Sequence, residues 1–157
     1  MTFDPDFGWL GPIYLLAVAW PLSVVDIRER RLPNGLTLPA FPITLLGQLL
    51  ALFFGADLMT LLGALLAGAL VFAACLALNR YAGLGMGDVK LISAITFALA
   101  WFSLLLPAIA LLIGFVVAGV VTLTLLLLRK TRMGSSIALG PYLLVGFVLS
   151  LIAQGWS

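Results

Sequence analysis

Two aspartates in this chain are placed so that they could do chemistry together: Asp26 and Asp88, each at the edge of a long apolar stretch. Asp88 sits in Gly85-Met86-Gly87-Asp88-Val89-Lys90-Leu91, just past two glycines and two residues before a lysine. An ionisable group at the border of an apolar segment is costly, and it reads as functional by default. Two carboxylates brought within a few ångströms do not both ionise easily, so they share a proton and titrate as a unit. Such a pair can hold a water, take its proton and protonate a leaving amine, the acid–base logic of an aspartic protease. With no histidine in the chain, proton chemistry near neutral pH falls to carboxylates and lysine.

Taken singly, each signal has an ordinary structural reading. Glycines before a helix mark a turn, and Asp88 can cap a helix start. The run Arg28-Glu29-Arg30-Arg31 sets topology and touches anionic headgroups. Pro33-Asn34-Gly35 is a turn on any reading. The matched position of the two junction aspartates is what points to a functional pair. At helix ends the backbone dipole favours charge on Asp88, which starts a helix, and disfavours it on Asp26, which ends one.

The elements that position them are set by composition. Of 157 residues, 64% are hydrophobic and 9% charged, with a mean hydropathy of +1.26. That much apolar surface cannot be hidden in one soluble core, so the class is an all-α integral membrane protein, one domain over residues 1–157. The net charge of +2 gives no reason to expect a nucleic-acid partner. Cys75 is the one cysteine, and without a CxxC pair or histidines neither a metal nor a cofactor is expected. The N-terminus lacks a basic n-region, so the first apolar stretch reads as a retained span rather than a cleaved signal.

A spanning helix needs roughly 20 mostly apolar residues. Six segments fit: about 8–25, 36–54, 58–78, 88–106, 107–128 and 137–153. The third carries a small-residue face, Gly63, Ala67 and Gly68, suited to close helix contact. Trp101 reads as an interfacial anchor, and the division at Pro107 is the alternative to one long kinked helix. With six spans all eight basic residues fall on one side, namely Arg28, Arg30, Arg31, Arg80, Lys90, Arg129, Lys130 and Arg132. Asp4, Asp6 and Asp57 fall on the other. Lysine and arginine in short loops mark the cytoplasmic face, so both termini are expected outside and both junction aspartates inside.

On these residues the chain resembles the type IV prepilin peptidase family of GxGD membrane aspartic proteases. Asp26-Ile27-Arg28, continuing to Leu32-Pro33-Asn34-Gly35, resembles its first-aspartate motif. Gly85-Met86-Gly87-Asp88-Val89-Lys90 resembles its GxGD motif with the following lysine. Ile137-Ala138-Leu139-Gly140-Pro141-Tyr142 resembles its Pro-Phe-Gly-Pro-aromatic segment, with Ala138 and Leu139 in place of Pro-Phe. The resemblance implies an endopeptidase of the bacterial inner membrane that removes prepilin or pseudopilin leaders at the cytoplasmic face, just before an apolar helix. Asp26 and Asp88 would be the catalytic pair, with Gly85, Gly87 and Lys90 in the active-site loop. The partners implied are a prepilin substrate and the lipid bilayer. The chain lacks the N-terminal domain of the long, methylating members, so the short peptidases of tight-adherence (Flp) pilus systems are the nearer likeness. Two other classes fit part of the pattern: a small ion- or proton-coupled transporter subunit, and a non-catalytic assembly protein of a secretion system.

Overall fold

The computed structural model describes residues 7–29, 31–128 and 138–154. Expectations that rest on Asp4, Asp6, Arg30, Arg129, Lys130, Arg132, Ile137 and Trp156 lie outside them. The described residues are helical throughout, with no strand among them. A short 3-10 turn, Phe7–Trp9, leads into α1 (Leu10–Glu29); α2 (Asn34–Thr37) and α3 (Ala40–Phe53) follow, then α4 (Leu58–Ala82), α5 (Met86–Leu99), α6 (Leu106–Leu127) and α7 (Gly140–Gln154).

Local chemistry explains most of these boundaries. Asp57 caps α4 by accepting a hydrogen bond from the Met59 N–H. Gly83 ends α4 in the left-handed region at φ 73°, where a side chain would be strained. Pro107 falls in the first turn of α6, where its missing N–H costs nothing, so the chain divides there instead of kinking. Pro21 lies inside α1 without ending it.

Among the described residues four stretches are long and apolar enough to cross a membrane: Phe7–Glu29, Asn34–Phe53, Leu58–Ala82 and Leu106–Leu127. The remaining two expected spans are shorter. α7 has 15 residues and α5 has 14, below the roughly 20 that a full crossing takes. α5 is instead the axis of the bundle. It packs against α1, α2, α3, α4, α6 and α7, and every residue from Leu91 to Leu99 is buried. Polar groups on α5 are satisfied within it, Ser93 donating to the Val89 carbonyl and Thr96 to that of Ile92. The small-residue face of α4 meets α5 as the spacing predicts: Ala64 and Ala67 pack with Phe97, and Gly68 leaves room for its Cβ. Trp101 is not an interfacial anchor. It is buried with Ala51 and Leu61 where the chain turns after α5; among the described residues Trp20 is the exposed tryptophan, at 80%.

One contact secures the far end of α5. The last carbonyls of a helix have no partner within it, and Gln48 of α3, itself fully buried, donates its Nε2 to the Phe97 carbonyl at 3.1 Å. Gln48→Leu is expected to strand that carbonyl in an apolar interior and to lower stability by about 1–3 kcal/mol. Leu46→Ala, at a site 56% exposed on the same helix, is expected to stay within about 0.5 kcal/mol. Thermal unfolding in detergent measures both.

Candidate functional site

Asp26 is buried because it continues a stripe. Leu15, Val18, Leu22 and Asp26 recur at helical spacing on the buried side of α1, and the last of them is a carboxylate with 4% exposure. Asp88 stands in the first turn of α5, half-buried, behind Gly85 at the N-cap. A Cβ on Gly85 would lie 2.9 Å from Asp88 Oδ2, so the carboxylate is folded back over the helix start. The end of α1 and the start of α5 thus bring the two aspartates to one place, where both line the same two cavities.

Two cavities meet at the pair. The larger, about 620 Å³, is walled by Asp26 and Asp88 together with Cys75, Leu78, Ile92 and Phe115. The smaller, about 330 Å³, is walled by both aspartates with Arg31, Leu32, Asn34 and Lys90. Asp26, Gly85 and Asp88 belong to both. Glu29 ends α1 on its exposed side and lines neither.

A third element enters the site. The Gly140 N–H, at the start of α7, donates to Asp26 Oδ2 at 2.9 Å. A backbone donor aimed at a carboxylate stabilises negative charge there. It opposes the order expected from helix ends, which left Asp26 the poorer place for charge. The sequence signal for Gly140 was the third motif, with the glycine and proline kept and the two residues before them changed; no role had been assigned to it.

The glycines and the lysine act differently from the loop expected of them. Gly87 and Lys90 lie inside α5 and Gly85 caps it, with φ −60°. The positive-φ glycines among the described residues are Gly55 and Gly83. What Gly87 provides is space: a Cβ there would come 2.8 Å from the Leu32 Cβ. A Cβ on Gly140 would meet Asp26 Oδ2 at 2.7 Å and Leu32 Cδ2 at 3.2 Å. Leu32, buried, is therefore the wedge between the starts of α5 and α7. Lys90 holds the same junction from outside, its Nζ donating to Asn34 Oδ1 at 2.8 Å at the start of α2. In sequence, glycines before a helix mark a turn, because sequence alone does not show which side chain lies opposite.

Crowding of Leu32 can be separated from any backbone requirement. Gly87→Val is expected to cost about 1–3 kcal/mol by overpacking. Leu32→Ala in that background should recover part of it, giving a coupling of about 0.5–3 kcal/mol in a double-mutant cycle. Additive losses in thermal unfolding would mean that the valine fails for its backbone rather than for its neighbour.

The model of the type IV leader peptidase family matches residues 13–153. A prepilin leader peptidase/N-methyltransferase of Aeromonas hydrophila is 33% identical over 155 residues, covering 97% of this chain and 52% of that protein. The protein of the same name from Pectobacterium carotovorum subsp. carotovorum is 34% identical over 157 residues, 98% of this chain and 54% of its own. The one from Dickeya chrysanthemi is 32% identical over 166 residues, 100% and 56%. The chain spans about half the length of these curated relatives. No solved structure matches at the same stringency.

Proposed function

Because the chain belongs to the type IV leader peptidase family, we propose that it is a membrane aspartic endopeptidase that removes the leader of type IV prepilins or pseudopilins. The observation that carries this is the convergence of Asp26 and Asp88, far apart in sequence, on cavities they share. A water between the carboxylates loses its proton to one of them and attacks the carbonyl carbon of the scissile bond. The carbon–nitrogen bond then breaks, and the leaving amine takes a proton from the pair. The Gly140 N–H holds Asp26 in register for this. Lys90, through Asn34, fixes the chain after α1 against the start of α5; its part and those of Gly85 and Gly87 are to position, not to react.

A transporter subunit is less well supported, because both carboxylates stand at helix ends and the buried polar groups of α5 bond within their own helix. A non-catalytic assembly protein would tolerate loss of the two aspartates, whereas a protease needs both.

The reading includes six passes through the bacterial inner membrane, two of them made inside the bundle by the short helices α5 and α7, with both termini outside and the pair at the cytoplasmic face. Its support is the charge pattern: Arg28 and Arg80 lie in the last turns of α1 and α4, and Arg31 and Lys90 line the cavity at the pair. Asp57 lies at the other end of α4, beside the turn at Trp101. Cysteines introduced near Arg31, Arg80 and Lys130 should react with impermeant reagents from the cytoplasm, and those near Asp57 and Trp156 from outside. A cytoplasmic C-terminus would sink the six-span layout.

A Flp-type prepilin as substrate rests on the motif resemblance and is decided by which prepilin is cut. Coexpression with candidate prepilins, followed by mass spectrometry of the pilin N-terminus, is the test of the activity. Asp26→Asn and Asp88→Asn are each expected to abolish cleavage by a factor of about 10² or more while the protein stays folded in the membrane. Glu29→Gln, outside both cavities, is expected to keep most of it. Cleavage by either asparagine variant at the parent rate would remove that residue from the pair.

A further inference from the structure

The two cavities that meet at Asp26, Gly85 and Asp88 differ in kind. One is walled by Arg31, Asn34 and Lys90. The other is a slot between α4 and α6, walled by Val71, Cys75, Leu78, Leu111 and Phe115. We propose that the substrate chain runs from the polar cavity across the carboxylates into this slot, where an apolar helix flanking the scissile bond docks between α4 and α6. The inference rests on the peptidase reading and adds where the substrate's membrane segment is held and which residues select it.

Three features carry it. First, Val71, Cys75, Leu78 and Ala82 follow one another at i, i+4, i+7 and i+11, one face of α4. At about 1.5 Å per residue that stripe is roughly 16 Å long. It reaches from the end of α4 beside Asp88 to about the middle of a hydrocarbon layer roughly 30 Å thick. Second, the slot is open sideways. α4 and α6 each pack on α5 but scarcely touch one another, and Ile92 of α5, one turn past Asp88, forms the floor. Leu78 and Phe115, two of its walls, are 51% and 47% exposed. Third, the polarity changes at the carboxylates. An unpaired peptide group in an apolar slot within a bilayer costs several kcal/mol, so a chain lying deep in it must be helical, with its own hydrogen bonds made. The bond to be cut must be free of such hydrogen bonds, and only the mouth, where the polar cavity opens, lets the chain unwind. A helix inside, an unwound bond at the pair and a polar segment beyond fit the three regions in order.

Cys75, the one cysteine of the chain, provides the test. It lies about 10 Å along α4 from Ala82 at the mouth, a distance a helical occupant covers in about seven residues. The full-length chain carrying Asp88→Asn, in membranes, is combined with a prepilin that the parent protein cleaves, bearing single cysteines on either side of the scissile bond. Oxidation is expected to link Cys75 to positions about five to nine residues into the apolar flank, with helical periodicity. No link is expected from the polar flank, and Cys75→Ser should remove the product. In the cleaving protein, Phe115→Ala is expected to raise KM roughly tenfold with little change in kcat, because the docked helix is held alike in ground and transition states. Leu112→Ala, 65% exposed on α6 outside the slot, should leave KM in place. Links only from the polar flank would overturn the path. So would no links together with an unmoved KM in Phe115→Ala, which would mean that the slot holds a lipid chain. In either case loss of cleavage in Asp26→Asn and Asp88→Asn would keep the peptidase reading standing, whereas cleavage surviving those changes would remove both.

Discussion

The structure depends on the enclosure of α5. A 14-residue helix surrounded by every other helix of the bundle has only its ends left to meet water. Its far end is secured by Gln48, which takes up a carbonyl that would otherwise be stranded. Its near end carries Asp88, and there the surrounding helices also stop: α1 at Glu29, α4 at Ala82, α7 beginning at Gly140. A carboxylate at that end is neither freely solvated nor sealed away. Beside it stand Asp26, whose carboxylate accepts the Gly140 N–H, and glycines that leave space. The geometry of the pair follows from burying the body of one helix and leaving its N-terminus open.

Crowding at the junction of three helix ends then decides which residues are tolerated. Leu32 fills the gap between Gly87 and Gly140, and Asp26 Oδ2 occupies the space a side chain at 140 would need. The loop after α1 is thereby a structural part of the site, pinned from inside by Leu32 and from outside through Asn34 and Lys90. Glycine at 87 and 140 serves contact. Glycine at 83, with its positive φ, serves the turn.

Much of this was legible in the sequence. Apolar length gives the all-helical class, the matched junction positions of Asp26 and Asp88 give the meeting of the pair, and the glycines before Asp88 mark a helix start near it. Pro107 placed the division between α5 and α6, and the small residues of α4 found their partner in Phe97. What was not legible depends on neighbours distant in the chain. Hydropathy does not separate a short core helix from a full span, because both are apolar all round, so α5 read as longer than it is. Trp101 read as interfacial because an aromatic near a helix end carries no mark of the pocket formed by Ala51 and Leu61. Gly140 had no assigned role because a backbone donor has no side-chain signature, and Gly87 reads as part of a turn because Leu32, for which it leaves room, lies on another element.

The central claim is that Asp26 and Asp88 act as one unit. Single-turnover cleavage of a coexpressed prepilin, compared among Asp26→Asn, Asp88→Asn and the double variant, tests it most directly. Groups that share one water and one proton are grossly non-additive. The account predicts that each single change removes about as much rate as both together. Losses that multiply, or one single variant that keeps the parent rate, would contradict it.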